Sequence, residues 1–326
     1  MTIAEINTPV QADRKYKYVF TVFTPTHNRA ATIHRVYESL KLQTYHDFEW
    51  LIVDDASKDN TREIVEKWQQ ENLFPIRYIY QDHGHKHIAF GRGVQEAEGE
   101  LFLSLDSDDY CEPNALERFK YHWDAIPQDQ KANFSAVTAL CKTIDGQIVG
   151  SSFPHNPTDS DSMEITYRFK MEGEKWGFHR TDVLRELSYH EEYRGIYVCE
   201  SVYWHEISRK YKTRFVNEAL RTYMIDPPAA PDASHPSMAG EHVRTKAFGQ
   251  QMFYIDLFNK DINWFRVAPV DFFVSAIKYV RVSFHVGDNA TKQIAQIKTA
   301  TGKILCLLAL PLGYLVYRKD NYAPNN

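Results

Sequence analysis

The chain has 326 residues, 43% hydrophobic and 25% charged, which is long enough for a large core and typical of a globular protein. There are 38 lysine and arginine residues against 43 aspartate and glutamate residues, a formal net charge of −5, which argues against sequence-independent nucleic-acid binding. The 4 cysteines form no CxxC pair, and the N-terminus has no basic start followed by an apolar run. We therefore expect a cytoplasmic protein without nucleic-acid partners.

Short apolar runs alternate with helical spacings from residue 18 to about residue 125. Strands are predicted at residues 18–24, 48–53, 76–80, 101–105 and 134–142. Helices are predicted at residues 31–43, 61–73 and 87–98 and from about residue 113. This order predicts an α/β fold with a mostly parallel sheet flanked by helices, and a ligand site beyond the carboxyl ends of the strands.

The chain is predicted to have four segments. They are a flexible N-terminal tail at 1–15, a catalytic domain at 16–225, a Pro-rich linker at 226–240 and a C-terminal helical region at 241–326. The linker is predicted because Asp226–Ser237 contains four prolines.

The C-terminal region contains an amphipathic stretch at Val270–Phe284 and an uncharged apolar run at Ile304–Tyr317. That run is shorter than the ~20 residues that span a bilayer, so we expect it to lie in the membrane interface without crossing. Its aromatics, and those of the first stretch such as Phe272 and Tyr279, would then lie at headgroup level. The alternative is a helical hairpin that packs on the catalytic domain or on a second subunit.

Three carboxylates, Asp106, Asp108 and Asp109, follow the strand predicted at 101–105. Oxygen-rich clusters suit Mg²⁺ or Mn²⁺, which prefer carboxylate, phosphate and water ligands. The same residue types also favour helix caps and turns, which is the plainer interpretation. Asp54 and Asp55 end a neighbouring predicted strand, and one of them is placed to accept hydrogen bonds from a base or ribose.

Three motifs occur in order along the chain: PTHNR at residues 25–29, IVDDASKDNT at 52–61 and LDSDD at 105–109. Together they resemble the family 2 glycosyltransferases, which have the GT-A fold. The resemblance covers roughly residues 18–225. It implies inverting transfer of a sugar from a nucleoside diphosphate sugar, with UDP favoured over GDP or dTDP.

The resemblance also implies a set of site residues. Those implied to bind the nucleotide sugar are Pro25, Thr26, His27, Asn28, Arg29, Asp54, Asp55, Lys86, Asp106, Ser107 and Asp108. The implied ligands of Mn²⁺ or Mg²⁺ are Asp106, Asp108 and Asp109. His27 stands where the family often has tyrosine, although an imidazole also stacks on a base.

The loop before the third predicted helix is rich in histidine. His83, His85 and His87 alternate along it, but an extended loop points alternate side chains to opposite faces, which disfavours a zinc site. Lys86 matches a basic residue that the family commonly has here and is predicted to pair with a phosphate. The alternative is a solvated loop.

A transfer to an acceptor hydroxyl with inversion needs a carboxylate that takes the proton. The family often has Glu-Asp before a helix containing tryptophan, and Glu200 lies at the matching place before Trp204. Glu200 is therefore the predicted base, although a first-turn glutamate is also favoured by the helix dipole. The alternative bases are Glu191, Glu192 and Glu206.

The acceptor side is predicted to include Trp176 and His179, unless Trp176 simply packs in the core. No Gln-x-x-Arg-Trp follows Trp204, which favours transfer of a single sugar over polymerisation. The expected acceptor is a surface-glycan or polyprenyl-linked saccharide, presented at the inner face of the plasma membrane if the C-terminal helices bind lipid. A homodimer is the other expected assembly.

Two other functions use a similar sheet. A nucleotidyltransferase needs a Gly-rich phosphate loop after the first strand, which PTHNRAAT at residues 25–32 does not provide. A non-catalytic nucleotide-sugar-binding protein would not need the carboxylates that this chain carries.

Overall fold

The computed structural model describes residues 15–224 and 243–322. Residues 1–14 and the predicted linker at 226–240 lie outside the described residues. The strands are β1 Tyr18–Thr26, β2 Phe48–Asp55, β3 Ile76–Gln81, β4 Gly99–Ser104, β5 Tyr110–Cys111, β6 Phe134–Lys142, β7 Thr158–Ser160, β8 Lys175–Arg180 and β9 Lys212–Thr222. The α-helices are α1 His34–Lys41, α2 Thr61–Glu71, α3 Lys86–Glu96, α4 Ala115–Asp124, α5 Ser162–Tyr167, α6 Thr181–Arg185, α7 Ser201–Ser208, α8 Val243–Lys260, α9 Pro269–Val286, α10 Ala290–Gln296 and α11 Ala300–Tyr322.

The strands form one sheet in the order β3-β2-β1-β4-β8-β6-β9-β5, with β7 paired to β9. The first four strands of that order are parallel, as the alternating pattern predicts. The second half is mixed, because β8 runs antiparallel to both β4 and β6. The expected mostly parallel sheet therefore holds for the half that carries the three sequence motifs.

Strands β1 and β2 lie in the interior of this parallel half. All eight residues of β2 are buried, including its two terminal aspartates. Both strands are near-continuous apolar runs because helices cover both faces of a parallel sheet. Trp50 on β2 is fully buried and donates a hydrogen bond from Nε1 to Thr24 Oγ1 at 2.9 Å. These contacts hold the carboxyl ends of β1, β2 and β4 in fixed positions relative to one another.

Helices α8 and α9 pack on the α/β part of the chain through a second apolar cluster, separate from the one that the sheet forms with its flanking helices. Met163 and Tyr167 of α5 belong to this cluster together with Phe272 and Tyr279 of α9. Both α9 aromatics are fully buried, so the expectation that they lie at headgroup level is wrong. For this part of the tail, the structure shows the alternative of a helical packing element, with α9 packed against α5 of the α/β part of the chain.

Helix α11 presents two different faces. Leu305, Cys306 and Ala309 are buried in the second cluster, and a Cβ added at Gly313 would come within 2.6 Å of Val280 on α9. The opposite face exposes an apolar set to solvent: Ile304, Leu307, Leu308, Leu312, Leu315 and Val316. We call these six residues the α11 apolar face.

The length of α11 differs from the sequence-based expectation. The helix has 23 residues, about 34 Å at 1.5 Å per residue, because it extends beyond the uncharged run at both ends. Within the described residues it is the one helix long and apolar enough to cross a membrane by length and composition. The argument that this segment is too short to span is therefore wrong.

Candidate functional site

The loop after β1 is held against the loop after β2. The Nδ1 atom of His27 lies 2.6 Å from Asp55 O, and the backbone N–H of Asn28 donates to Ser57 Oγ at 2.7 Å. Asn28 adopts a left-handed conformation with φ of 52°, which asparagine tolerates better than most residues. This pairing places residues 25–29 at the carboxyl edge of the sheet, where the sequence predicts the nucleotide.

The polar residues at the ends of these strands are not equally accessible. Thr26 is 3% exposed, and its hydroxyl has no hydrogen-bond partner within the described part of the chain. Asp54 is fully buried and accepts hydrogen bonds from Ser57 N at 2.7 Å and from the Tyr78 hydroxyl at 2.5 Å. The expected contact between Asp54 and a nucleotide is therefore wrong, because this carboxylate shapes the turn from below.

Asp55 organises the loop that precedes α3. Its Oδ1 accepts hydrogen bonds from Gln81 Nε2 and Gly84 N, both at 2.8 Å. Its Oδ2 accepts from His85 N at 3.0 Å and lies 2.8 Å from His83 Nδ1. The carboxylate expected to bind the nucleotide base thus holds residues 81–85.

Lys86, the first residue of α3, brings two of the predicted site residues together. Its Nζ lies 2.8 Å from Asp106 Oδ1 and 3.1 Å from Glu200 Oε1. Burial lowers the pKa of Lys86, but the charges of Asp106 and Glu200 outweigh burial and raise the pKa above its usual value. Lys86 therefore stays an ammonium at neutral pH and bridges two carboxylates from distant parts of the sequence.

The three carboxylates of the 105–109 motif face three different cations. Asp106 contacts Lys86, whereas Asp108 Oδ2 lies 3.9 Å from Arg29 Nη2. Asp109 is 2% exposed, and its Oδ2 lies 2.8 Å from Arg221 Nη2. Burial raises the pKa of Asp109 to about 7. The expected role of Asp109 as a metal ligand is therefore wrong, because it is turned inward to the end of β9.

Ser107 in the same turn is 5% exposed, so the predicted contact with the nucleotide is not available to its side chain. Asp106 and Asp108 keep about a third of their side-chain surface open, at 35% and 34%. These two carboxylates remain as the accessible oxygen donors of the motif.

The accessible pair fits a divalent ion held mainly by substrate. Within residues 15–224 and 243–322, no three histidine, cysteine, aspartate or glutamate side chains converge as a ready-made metal site. Mg²⁺ and Mn²⁺ sites that bind phosphates commonly use one or two carboxylates, with water and phosphate completing the shell.

The charged groups of the site form a connected set of ion pairs within the described residues. Its cations are Arg29, Lys86 and Arg221, and its carboxylates are Asp106, Asp108, Asp109, Glu174 and Glu200. Carboxylates outnumber cations in this set.

Arg221 and Glu174 are site residues that the motif analysis did not single out. Arg221 is 5% exposed, and its Nη2 lies 3.7 Å from Glu174 Oε1 and 4.0 Å from Asp106 Oδ2. Glu174 precedes β8, and burial raises the pKa of its carboxyl group. The sequence offered no clear signal for Arg221, because β9 reads KTRFVNEALRT and carries four charged residues among its eleven.

Of the two residues predicted for the acceptor side, Trp176 lies in the core and His179 is partly exposed. Trp176 is 3% exposed, donates from Nε1 to Ser104 O at 2.6 Å and packs edge-on against Phe119. His179 stacks on Trp204 with ring centroids 4.7 Å apart, and burial lowers its pKa to about 4. The assignment of Trp176 is wrong, because its side chain is buried where β8 pairs with β4 and β6 inside the sheet, whereas the role of His179 stays a prediction.

Replacing Trp176 by alanine tests this correction. We expect the free energy of unfolding to fall by about 3–5 kcal/mol, because a large buried side chain and its hydrogen bond are lost. Denaturant titration of the variant measures this loss. A variant as stable as the parent would contradict the core assignment and return Trp176 to the acceptor side.

Of the four candidate bases, Glu200 is the one that contacts Lys86. Glu191 pairs with Arg194 and Glu192 with His190, and both glutamates are more than 60% exposed. Glu206 lines a small surface recess with Val183 and Lys210. The geometry favours Glu200 over the three alternatives.

Comparisons with known proteins show what the chain is similar to. A family model described as Glycosyl transferase family 2 matches residues 21–131, which include all three motifs. An uncharacterized glycosyltransferase of Mycoplasma pneumoniae is 37% identical over 113 residues, covering 33% of this chain and 38% of the relative. The GalNAc(5)-diNAcBac-PP-undecaprenol beta-1,3-glucosyltransferase of Campylobacter jejuni is 25% identical over 216 residues, covering 63% of this chain and 64% of the relative.

The fold is also similar to a solved structure. Residues 1–349 of TarS from S. aureus, in complex with UDP-GlcNAc, superpose with a TM-score of 0.59 at 16% identity, covering 93% of each chain. This likeness confirms the GT-A fold that the motifs predict. The match to each of the two curated relatives above covers less than two thirds of that relative's length.

Proposed function

We propose, from the match of residues 21–131 to the glycosyl transferase family 2 model, that this chain transfers one sugar from a nucleoside diphosphate sugar to an acceptor hydroxyl, with inversion. The observation that carries the proposal is the bridge of Lys86 between Asp106 and Glu200. This bridge places three groups at one edge of the sheet: Lys86 as a cation for the diphosphate, Asp106 as a carboxylate for donor binding and Glu200 as a carboxylate for proton transfer. In open α/β sheets this edge is where ligands bind.

The donor is proposed to lie across the loops that follow β1, β2 and β4. Residues 25–29 and Asp55 would hold the nucleotide, with a base edge reaching Asp55 in exchange for its contact with Gln81 or His83. Lys86 and Arg29 are the accessible cations for the phosphates. The favoured donor is a UDP-sugar.

Mn²⁺ or Mg²⁺ is proposed as the cofactor, bound by Asp108 with Asp106 beside it. When bound, the ion would stabilise the negative charge that develops on the leaving diphosphate. The excess of carboxylates at the site supports this assignment, because a donor diphosphate adds further negative charge.

Glu200 is proposed as the general base. Its carboxylate takes the proton of the acceptor hydroxyl while that oxygen forms a bond to the anomeric carbon on the face opposite the diphosphate. The bond from the anomeric carbon to the diphosphate oxygen breaks, and its electron pair leaves with the diphosphate. Attack from the opposite face inverts the configuration.

Release of free UDP tests this proposal against its alternatives. With UDP-sugars, Mn²⁺ and saccharide acceptors, we expect UDP to accumulate with time. A nucleotidyltransferase would instead release pyrophosphate from UTP and a sugar phosphate, and a non-catalytic binding protein would bind UDP-sugar without turnover. Either of these results would contradict the proposal.

The acceptor is proposed to be a lipid-linked or surface-glycan saccharide, reached from the inner face of the plasma membrane. The α11 apolar face is continuous and exposed, and Lys303, Arg318 and Lys319 flank it. Apolar surface with flanking cations is typical of helices that lie in an anionic membrane interface. An in-plane position agrees with the burial of the other face against α9, where Arg281 pairs with Asp320 at 2.6 Å. Moving that pair into hydrocarbon would be costly.

Flotation with vesicles containing anionic lipid tests the membrane proposal. Replacing Leu308 and Leu315 by glutamate is expected to weaken vesicle binding by at least about a hundredfold, since each buried leucine contributes about 1.5–3 kcal/mol. Leu42→Glu is the matched control, because Leu42 and Leu315 are both 64% exposed. Full-length protein that does not float, or a double variant that floats like the parent, would contradict the proposal. Sedimentation as a dimer that the double substitution dissociates would assign the face to a second copy.

A further inference from the structure

Lys86 connects the proposed base to the proposed donor site. Its ammonium contacts Glu200 and Asp106 at the same time, at 3.1 and 2.8 Å. A carboxylate oxygen in contact with an ammonium is occupied by that contact, so it is less open to a hydrogen bond from an incoming hydroxyl. In the state described by the structure, Lys86 occupies Glu200 Oε1 in this way.

The position of Lys86 depends on Asp55 through the backbone. The preceding residue, His85, has φ of 68° and ψ of 167°, a conformation that is nearly exclusive to glycine. Such strain persists only where the surroundings fix it, and here the amides of Gly84 and His85 both donate to the Asp55 carboxylate. Asp55 thereby fixes the point at which α3 begins and from which Lys86 extends.

A nucleoside diphosphate would act on both ends of this arrangement. Its base would compete for Asp55, and its diphosphate would offer Lys86 two adjacent negative charges. Asp106 has a second cation nearby, because Arg221 Nη2 lies 4.0 Å from its Oδ2, and Asp108 faces Arg29. When Lys86 leaves Asp106, that carboxylate therefore retains Arg221. Lys86 is thus the cation of the site that can move from Glu200, the proposed general base, to the diphosphate of the donor.

We propose that Lys86 is a positioning residue that couples donor binding to the release of Glu200. Without donor, the Lys86 ammonium contacts the Glu200 carboxylate. When the donor binds, its diphosphate attracts Lys86 away from Glu200, and Glu200 is then free to take the proton of the acceptor hydroxyl. The proposal rests on the proposed function, since it takes the ligand to be a nucleoside diphosphate. It makes donor binding a precondition for acceptor activation.

Zero-length cross-linking of the wild-type protein tests this coupling. A carbodiimide joins an amine and a carboxylate that are in contact, so the free protein is expected to yield a Lys86–Glu200 cross-link detectable by peptide mass spectrometry. With UDP and Mn²⁺ present at about ten times the Kd of UDP, about nine in ten sites are filled, and the yield is expected to fall about tenfold. The Kd of UDP is measured beforehand by calorimetry.

The pair of Lys17 and Glu98 is the internal control. Its atoms are 3.0 Å apart at the amino-terminal edge of the sheet, so its cross-link should not respond to UDP. A Lys86–Glu200 cross-link that is absent from the free protein, or that persists when calorimetry shows bound UDP, would overturn the inference and leave the proposed function standing. Failure of UDP to bind at all would overturn both.

Discussion

Replacing Asp108 by alanine is expected to reduce sugar transfer at least about a thousandfold, which corresponds to roughly 4 kcal/mol of transition-state stabilisation. The physical reason is loss of the carboxylate proposed to bind the divalent ion, whose charge on the leaving diphosphate is worth several kcal/mol. Turnover of UDP-sugar to UDP, measured with saturating Mn²⁺, gives the size of the effect.

The fold should tolerate this change. Asp108 is a third exposed, and the ion pair that its side chain makes with Arg29 is a loose one of 3.9 Å, so the free energy of unfolding should change by less than about 1 kcal/mol. Asp129→Ala is the matched control, since Asp129 is exposed and distant in sequence from the motif. Full activity of the Asp108 variant in EDTA would contradict the role of both the residue and the metal.

Replacing Glu200 by glutamine is expected to lower the transfer rate by about 10²–10⁴, the usual contribution of a general base. Glutamine keeps the size of the side chain and an oxygen that accepts hydrogen bonds, but it cannot take the proton. Binding of UDP should survive, because the residues proposed to hold the nucleotide are unchanged. Rate and binding are measured separately, by UDP release and by calorimetry.

Glu206→Gln is the control for this variant, because Glu206 lies on the same helix α7 but lines a surface recess with Lys210. It should transfer sugar at the parent rate. If the Glu200 variant also transfers at the parent rate, the base is another residue, and Glu191 or Glu192 becomes the next candidate.

The parallel half of the sheet was predictable because its strands and helices differ sharply in periodicity. β6 is observed at the predicted bounds, 134–142, and the parallel strands β1 and β2 begin where predicted and extend by two residues at their ends. Those extra residues are Pro25, Thr26, Asp54 and Asp55, which have low strand propensity or are polar and were left outside the predicted strands. They continue the strand because neighbouring strands pair with their backbone.

The site was predictable as a set of motifs but not as a set of contacts. The sequence indicated Lys86, Asp106 and Glu200 separately, yet their mutual contact depends on how α3, β4 and α7 pack. Asp109 was taken as a ligand because nothing local reveals Arg221, which reaches it from β9. Trp176 was placed at the acceptor side because pairing of β8 inside the sheet is a property of the tertiary fold.

The most direct test of the central claim is a crystal structure of the protein with UDP and Mn²⁺. The account predicts the diphosphate at the carboxyl edge of β1, β2 and β4, with the ion on Asp108 and with Lys86 Nζ turned from Glu200 to a phosphate oxygen. UDP bound elsewhere, for example in the cavity of about 520 Å³ lined by Tyr16 and Trp123 at the opposite edge of the sheet, would contradict it.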